Sequence, residues 1–275
     1  MKLINLVLIS TLLWSCQMGI NEESKGEHKK STPIVSKTAF QNKGHELVYN
    51  MVQIVGDYGK LKALKDVAYK YTYQTPDNKV DISMESYIFD GELSYGSYYK
   101  HERTFPELEV KIEQGFDGDS FWFKHNGALL EAEKYLKRTK FNRKTNFYWF
   151  AMMQKLLDPG LKYEYLKEEI IDNQEYDVVR VSFDSEEGKR TDIYQLYLNK
   201  KTHLVDQFLF TVADFDSMDP RLMKVEYEKV ENILIPNTRK YTKSDWNGVP
   251  LNDEWTIVNW TDIKFDNGLS KEMFK

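Results

Sequence analysis

The residue types able to ligate a metal or move a proton are sparse, and their spacing does not assemble a known chemistry. The five histidines are His28, His45, His101, His125 and His203. No two stand at i, i+3 or i, i+4, the separation a helical metal pair needs. His45-Glu46 begins the zinc-protease pattern, but Tyr49 stands where the second histidine is required, so the metal would lack a ligand. Ser94 lies between Gly91 and Gly96, which is the wrong spacing for a nucleophile elbow, and it reads as a strand-surface residue. Asp214, Asp216 and Asp219 gather on one loop, yet Met218 takes the third calcium-ligand position and no glycine follows, which excludes an EF-hand. With 43 acidic residues, carboxylate pairs can form in space, but no spacing singles out an acid/base couple. No Gly-rich phosphate loop is present. The chain is expected to be non-catalytic, with no metal and no cofactor.

Composition narrows the remaining classes. The 275 residues carry a formal net charge of −5, with 41% hydrophobic and 14% aromatic residues. So many large side chains must be buried in a core, which excludes a disordered chain. Mild acidity without a long Lys/Arg block excludes a nucleic-acid partner, because phosphate binding requires a basic stripe. The single cysteine excludes an intrachain disulfide framework, a four-cysteine zinc site and a Cys-x-x-Cys redox pair.

That cysteine closes an N-terminal targeting pattern. Met1-Lys2 is followed by an apolar run from Leu3 to Leu13 and then Leu13-Trp14-Ser15-Cys16. The run is too short for a bilayer span, which needs about 20 residues, and has signal-peptide proportions. Its last four residues resemble a bacterial lipobox, from which Trp14 departs. The resemblance implies a lipoprotein signal peptide over 1–15 and a lipidated, palmitate-type anchor on Cys16; secretion with a free thiol is the alternative. Residues 16–36 are polar and without periodicity, the pattern of a flexible tether, and 37–275 make a single domain. Gln17 after the cysteine favours delivery to the outer membrane, facing the periplasm, with the cell surface as the alternative.

The elements follow from hydrophobic period. Phe40, Leu47, Val48, Met51, Ile54 and Val55 share one helical stripe, which predicts a helix from about Lys37 to Val55, stopped by Gly56 and Gly59. From Asp66 the period becomes two, and about eleven or twelve strands follow in two series without an interdomain linker. One face of the later strands is dry and the other wet: Val179, Val181 and Phe183 oppose Val178, Arg180 and Ser182. The series are separated by Asn142–Pro159, with Thr145-Asn146 as a cap candidate and Phe147 to Met153 apolar without interruption. A helix apolar all round is either a buried core helix or a lid that touches something outside the chain. Met152 and Met153 suit a surface that repacks around varied partners.

A leading helix, an antiparallel run, a helix ending in Gln154-Lys155-Leu156-Leu157-Asp158-Pro159 and a second antiparallel run resemble the LolA/LolB-like lipoprotein-carrier superfamily. Local phrases place it among the superfamily's outer-membrane lipoproteins: Gly59-Lys60-Leu61-Lys62-Ala63-Leu64-Lys65-Asp66-Val67, Phe116-Asp117-Gly118 before Trp122, Leu204-Val205-Asp206-Gln207-Phe208-Leu209-Phe210, and Leu234-Ile235-Pro236-Asn237. The resemblance implies an α+β fold: a highly curved antiparallel sheet, an unclosed half-barrel, with an N-terminal helix and a mid-chain helical lid over its concave face. It also implies a binding protein or carrier for an acyl chain, lipid or lipoprotein. Its expected lining is Phe147, Trp149, Phe150, Met152, Met153 and Leu156 from the lid, with Val179, Val181, Phe183, Phe208, Phe210, Val212, Val225 and Tyr227 from the sheet. The expected partners are a lipid or acylated ligand, the membrane through the anchor, and a protein in the alternative reading, a structural or partner-binding lipoprotein with a self-filled core. An unrecognised hydrolase is the third reading.

Overall fold

The computed structural model describes residues 39–184 and 189–275. The expected signal peptide, the tether with Cys16 and residues 37–38 of the expected leading helix lie outside these residues; 39–42 are not helical, so that helix starts six residues after the expected Lys37. Helix α1 spans Lys43–Val55 and begins at Asn42, whose side chain accepts the backbone N–H of His45 at 3.1 Å. This satisfies one of the donors left free at a helix start. Gly56 ends the helix with φ of 94°, a conformation that β-carbons disfavour. Gly59 does not extend that stop. It lies inside a short helix α2, Tyr58–Ala63, capped by Asp57.

Strands β1 (Asp66–Gln74), β2 (Val80–Ile88), β3 (Leu93–His101), β4 (Ile112–Phe116), β5 (Phe121–His125) and β6 (Ala128–Leu129) run as a meander. After helix α3 (Glu133–Lys155) a second meander contains β7 (Leu161–Ile171), β8 (Gln174–Phe183), β9 (Ile193–Asn199), β10 (Val205–Val212), β11 (Ser217–Val230), β12 (Ile233–Lys243) and β13 (Thr256–Phe265). Among the described residues these thirteen strands make one antiparallel sheet, in the order β6-β5-β4-β3-β2-β1-β13-β12-β11-β10-β9-β8-β7. The last strand thus returns to pair with the first, and the outer strands β6 and β7 leave the sheet unclosed. Register shifts in β1, β2, β7, β10 and β11 bend it, because a bulged residue locally increases twist.

Helix α3 starts nine residues before the expected Asn142, and Thr145-Asn146 lies inside it, not at its cap. The early turns hold Lys134, Lys137, Arg138 and Lys140, so apolar periodicity is absent there. At 23 residues the helix is about 35 Å long, enough to cross the concave face. Tyr135 stacks on Phe123 of β5 at one end, with ring centroids 4.9 Å apart. At the other, Met152, Met153 and Leu156 join Val48, Met51 and Val52 of α1 above Val179, Val181, Leu196 and Phe208. Phe147, Phe150 and Ala151 face the opposite half, against Tyr69, Tyr87 and Trp260. The continuous apolar run is therefore explained by burial on both flanks.

The expected wet face is also partly covered. Val178, Tyr197, Leu209 and Leu222 form a separate cluster with Trp255 on the convex side. Gly248, in the β12–β13 connection, comes so near that an added β-carbon would lie 2.9 Å from the Tyr197 hydroxyl. The C-terminal Phe274 likewise packs on Ile88 and Leu93.

One ion pair locks α3 onto the sheet. Arg143 Nη1 and Nη2 donate to Glu85 Oε2 and Oε1 at 2.7 and 3.2 Å, with both side chains fully buried. Ser83 and Tyr87 donate to the same carboxylate, and Tyr98 accepts from Arg143 Nη2 at 2.9 Å. Burial works against the guanidinium charge, yet Glu85 beside it holds Arg143 above its ordinary range. Gly96 makes room: a β-carbon there would fall 2.5 Å from Arg143 Nη1. Ser94, expected at the strand surface, is buried beneath the helix, where its hydroxyl donates to the Arg143 carbonyl. Breaking one side of a buried pair strands the other charge. Arg143→Met is expected to cost about 3–5 kcal/mol in urea unfolding, and combining it with Glu85→Gln is expected to recover part of that loss.

Candidate functional site

Packing leaves a gap on the concave face between the middle of α3 and strands β1 and β9–β13. It is a cavity of about 310 Å³. Strand β1 contributes Tyr71 and Tyr73, β13 contributes Val258 and Trp260, and β12 contributes Arg239 and Tyr241. Met223, Phe210, Thr211, Val212 and Tyr194 continue the wall across β11, β10 and β9. The helix side is Phe141, Asn142, Lys144, Thr145, Asn146, Tyr148 and Trp149, while Arg103, Asp192 and Asp214 complete the lining.

The aromatic part of the wall is internally braced. Trp149 stacks on Phe208 at 5.8 Å and meets the edge of Phe210 at 5.0 Å. Phe210 meets Tyr241 edge-on, and the hydroxyls of Tyr241 and Tyr73 are hydrogen-bonded to each other. Burial pushes the Tyr71, Tyr73 and Tyr194 hydroxyls well above the ordinary phenol range, so they remain neutral. At the rim, Lys144 and Asp214 are exposed, and burial raises the half-buried Asp192 carboxyl above its usual value.

The basic groups of the cavity differ in their partners. Arg103 lies over the Tyr73 ring, 4.2 Å from its centroid, and its guanidinium pairs with the buried Asp81 at 3.2 Å. Arg239 is only 4% exposed and is stacked on Trp260, 3.6 Å from the ring centroid. Its one hydrogen bond runs from Nη1 to the Trp149 carbonyl at 3.4 Å. Burial pulls the Arg239 guanidinium down to about 10, although neighbouring tyrosines favour its charge. It remains a cation at neutral pH.

Of the fourteen residues expected to line a cavity, Trp149, Phe210 and Val212 do so. Phe147 and Phe150 are packed against β1, β2 and β13 in the chain's own core. Met152, Met153, Leu156, Val179, Val181, Phe208 and Val225 are buried together with α1, and Phe183 and Tyr227 border that cluster. The sequence reading missed Arg239, Tyr71, Tyr241 and Trp260 as a group. Parity offered a signal for the first: Ile233, Ile235, Arg239 and Tyr241 share one parity in β12, so the arginine stands in the inward row. No group of three His, Cys, Asp or Glu able to hold a metal ion occurs among the described residues. No helix among them is long and apolar enough to cross a membrane.

The model of a family of unknown function, DUF6503, matches residues 119–259, slightly more than half of the chain, and the chain belongs to that family. The matched segment contains α3 and the cavity walls from β9 to β12. A crystal structure of a DUF1329 family protein from Desulfovibrio piger is similar over 84% of this chain and 95% of its own, with a TM-score of 0.51 at 14% identity. A LolA superfamily protein from Nitrosomonas europaea matches over 84% and 97%, with a TM-score of 0.48 at 11% identity. The structural similarity to LolA superfamily proteins expected from the sequence is present. No curated protein matches.

Core and cavity wall should respond differently to truncation. Phe150→Ala is expected to cost about 3–5 kcal/mol in urea unfolding, as for a fully enclosed ring. Val212→Ala, at a half-buried position bordering existing space, should cost less than about 1 kcal/mol.

Proposed function

We propose that this DUF6503 family member is a non-catalytic binding protein or carrier that shelters a lipid or acyl chain between its curved sheet and α3. It is held at the outer membrane through Cys16. The observation that carries this reading is the aromatic cavity of about 310 Å³, positioned where the sheet and helix leave a gap in an otherwise dense core. That volume lies near the lower end of the roughly 300–1,000 Å³ typical of small-molecule sites. It suits part of one acyl chain; a lipoprotein bearing several chains would require α3 to move. Each methylene buried contributes about 0.8 kcal/mol, so a partly enclosed chain can be held without any directional contact.

The partner-binding alternative draws on a different observation. The concave face over β7–β10 is filled by Met51, Val52, Met152, Met153 and Leu156, which leaves much of the half-barrel occupied by its own side chains. One experiment separates the two readings. Native mass spectrometry with lipid extraction is applied to the chain carrying Cys16→Ser, so that no anchor lipid is counted. The carrier reading expects co-purifying lipid that is lost when Val212→Trp is added to close the cavity, with melting within about 3 °C of the parent, as for a side chain that enters existing space at a cost under about 1 kcal/mol. A clean mass that stays unchanged when lipid is offered would overturn it and leave the partner-binding reading.

A further inference from the structure

Several arginines reach into the concave side of the sheet, among them the half-buried Arg221 opposite Phe210, and two have carboxylate partners. Arg143 is paired with Glu85, and Arg103 with Asp81. Arg239 has no ion pair among the described residues, although it is 4% exposed and lines the cavity. Its Nη1 donates to a backbone carbonyl at 3.4 Å, and its Nε is buried with no hydrogen-bond partner. The indole N–H of Trp260, on which the guanidinium is stacked, is likewise buried without a partner. Hydrogen-bond donors thus cluster at this wall with no acceptor to match them.

A cation taken out of water without a counter-charge is costly, and Arg143 and Arg103 meet that cost by pairing. The aromatic ring beneath Arg239 supplies part of the compensation, because a guanidinium is attracted to the face of an indole. It does not use the planar fork of donors, which matches a carboxylate or phosphate. At the cavity rim, Asp192 accepts the backbone N–H of Ala213 at 2.7 Å, and among the described residues neither it nor Asp214 forms an ion pair with Arg239.

We propose that Arg239 is the receptor for a single anionic head group, a carboxylate or phosphate monoester, at the end of an otherwise apolar ligand. The ligand lies head inward, its charge on Arg239 and its chain running past Trp149 and Phe210 toward the Val212 rim. This deepens the carrier reading above and rests on it. It explains why a cation stands in an inward row of aromatic and aliphatic residues, and it turns a general apolar pocket into one selective for anionic amphiphiles over neutral ones.

The test uses the full-length chain with Cys16→Ser and three ligands that share a sixteen-carbon chain: palmitate, hexadecyl phosphate and hexadecanol. Affinities are read by displacement of the neutral fluorophore N-phenyl-1-naphthylamine and by direct calorimetry. At least one anionic ligand is expected to bind about tenfold or more tightly than hexadecanol, as charge-assisted hydrogen bonds at a buried site permit. Which of the two does so distinguishes a carboxylate from a phosphate source. In Arg239→Met the preference should fall to within about twofold of unity while hexadecanol binding is retained. If that variant does not fold, Arg239→Lys, which keeps the charge but loses the fork, should still reduce the preference several-fold. Hexadecanol binding with no preference for either anion, or a preference unchanged by the substitutions, overturns the head-group assignment and leaves the carrier reading standing. Failure of all three ligands to bind overturns both.

Discussion

The bidentate pair between Arg143 and Glu85 determines where α3 lies, and the interior is arranged around that position. Neither group can leave the other without exposing a bare charge to a dry environment. Strand β2 supports the carboxylate with Ser83 and Tyr87 from its own inward row, and β3 supports the guanidinium with Tyr98 and the space above Gly96. With this point fixed, the helix meets two halves of the sheet at once. Phe147 and Phe150 are committed to β1, β2 and β13, while Met152 and Met153 are committed to α1 and β8–β10.

The cavity is the remainder of that arrangement. Between the two committed flanks of α3, Trp149 is only half-buried and, in edge contact with Phe210, borders a gap that the chain does not fill. The surrounding rings brace one another edge-on and by stacking, which keeps the space open against collapse. Its polarity is uneven. Neutral tyrosines and a paired Arg103 face one side, an unpaired Arg239 occupies another, and charges of both signs stand only at the exposed rim. Apolar area supplies attraction without direction, and a solitary donor cluster supplies direction.

Much of this fold was legible in the alternation of residues. The first strand starts at Asp66 as expected, and thirteen strands form among the described residues where about eleven or twelve were expected, because a two-residue period is a local property that pairing preserves. Helix α1 ends at Val55 as its stripe requires. The readings that failed depend on distant partners. The first three turns of α3 are rich in lysine and arginine and show no apolar stripe, so the helix was placed too late. Tyr135 and Arg143 are helical because of what they meet on β5 and β2. The wet face of β8–β11 looked solvent-facing by contrast with its neighbour, yet the connection after β12 folds over it and buries Tyr197 and Leu209.

Residue type and period by themselves determined that this chain builds two runs of antiparallel strands on either side of a mid-chain helix and that its aromatic surplus is interior. Those properties are carried by neighbours in sequence. Only the tertiary structure decided which inward residues meet a partner and which face a void. Trp149 and Phe150 are adjacent and chemically alike, but a helical step of about 100° places one at the cavity and the other in the core. Arg143 and Arg239 are identical in the sequence. One lies opposite Glu85 and the other opposite open space, because pairing of residues far apart in the chain is set by how α3 crosses the sheet.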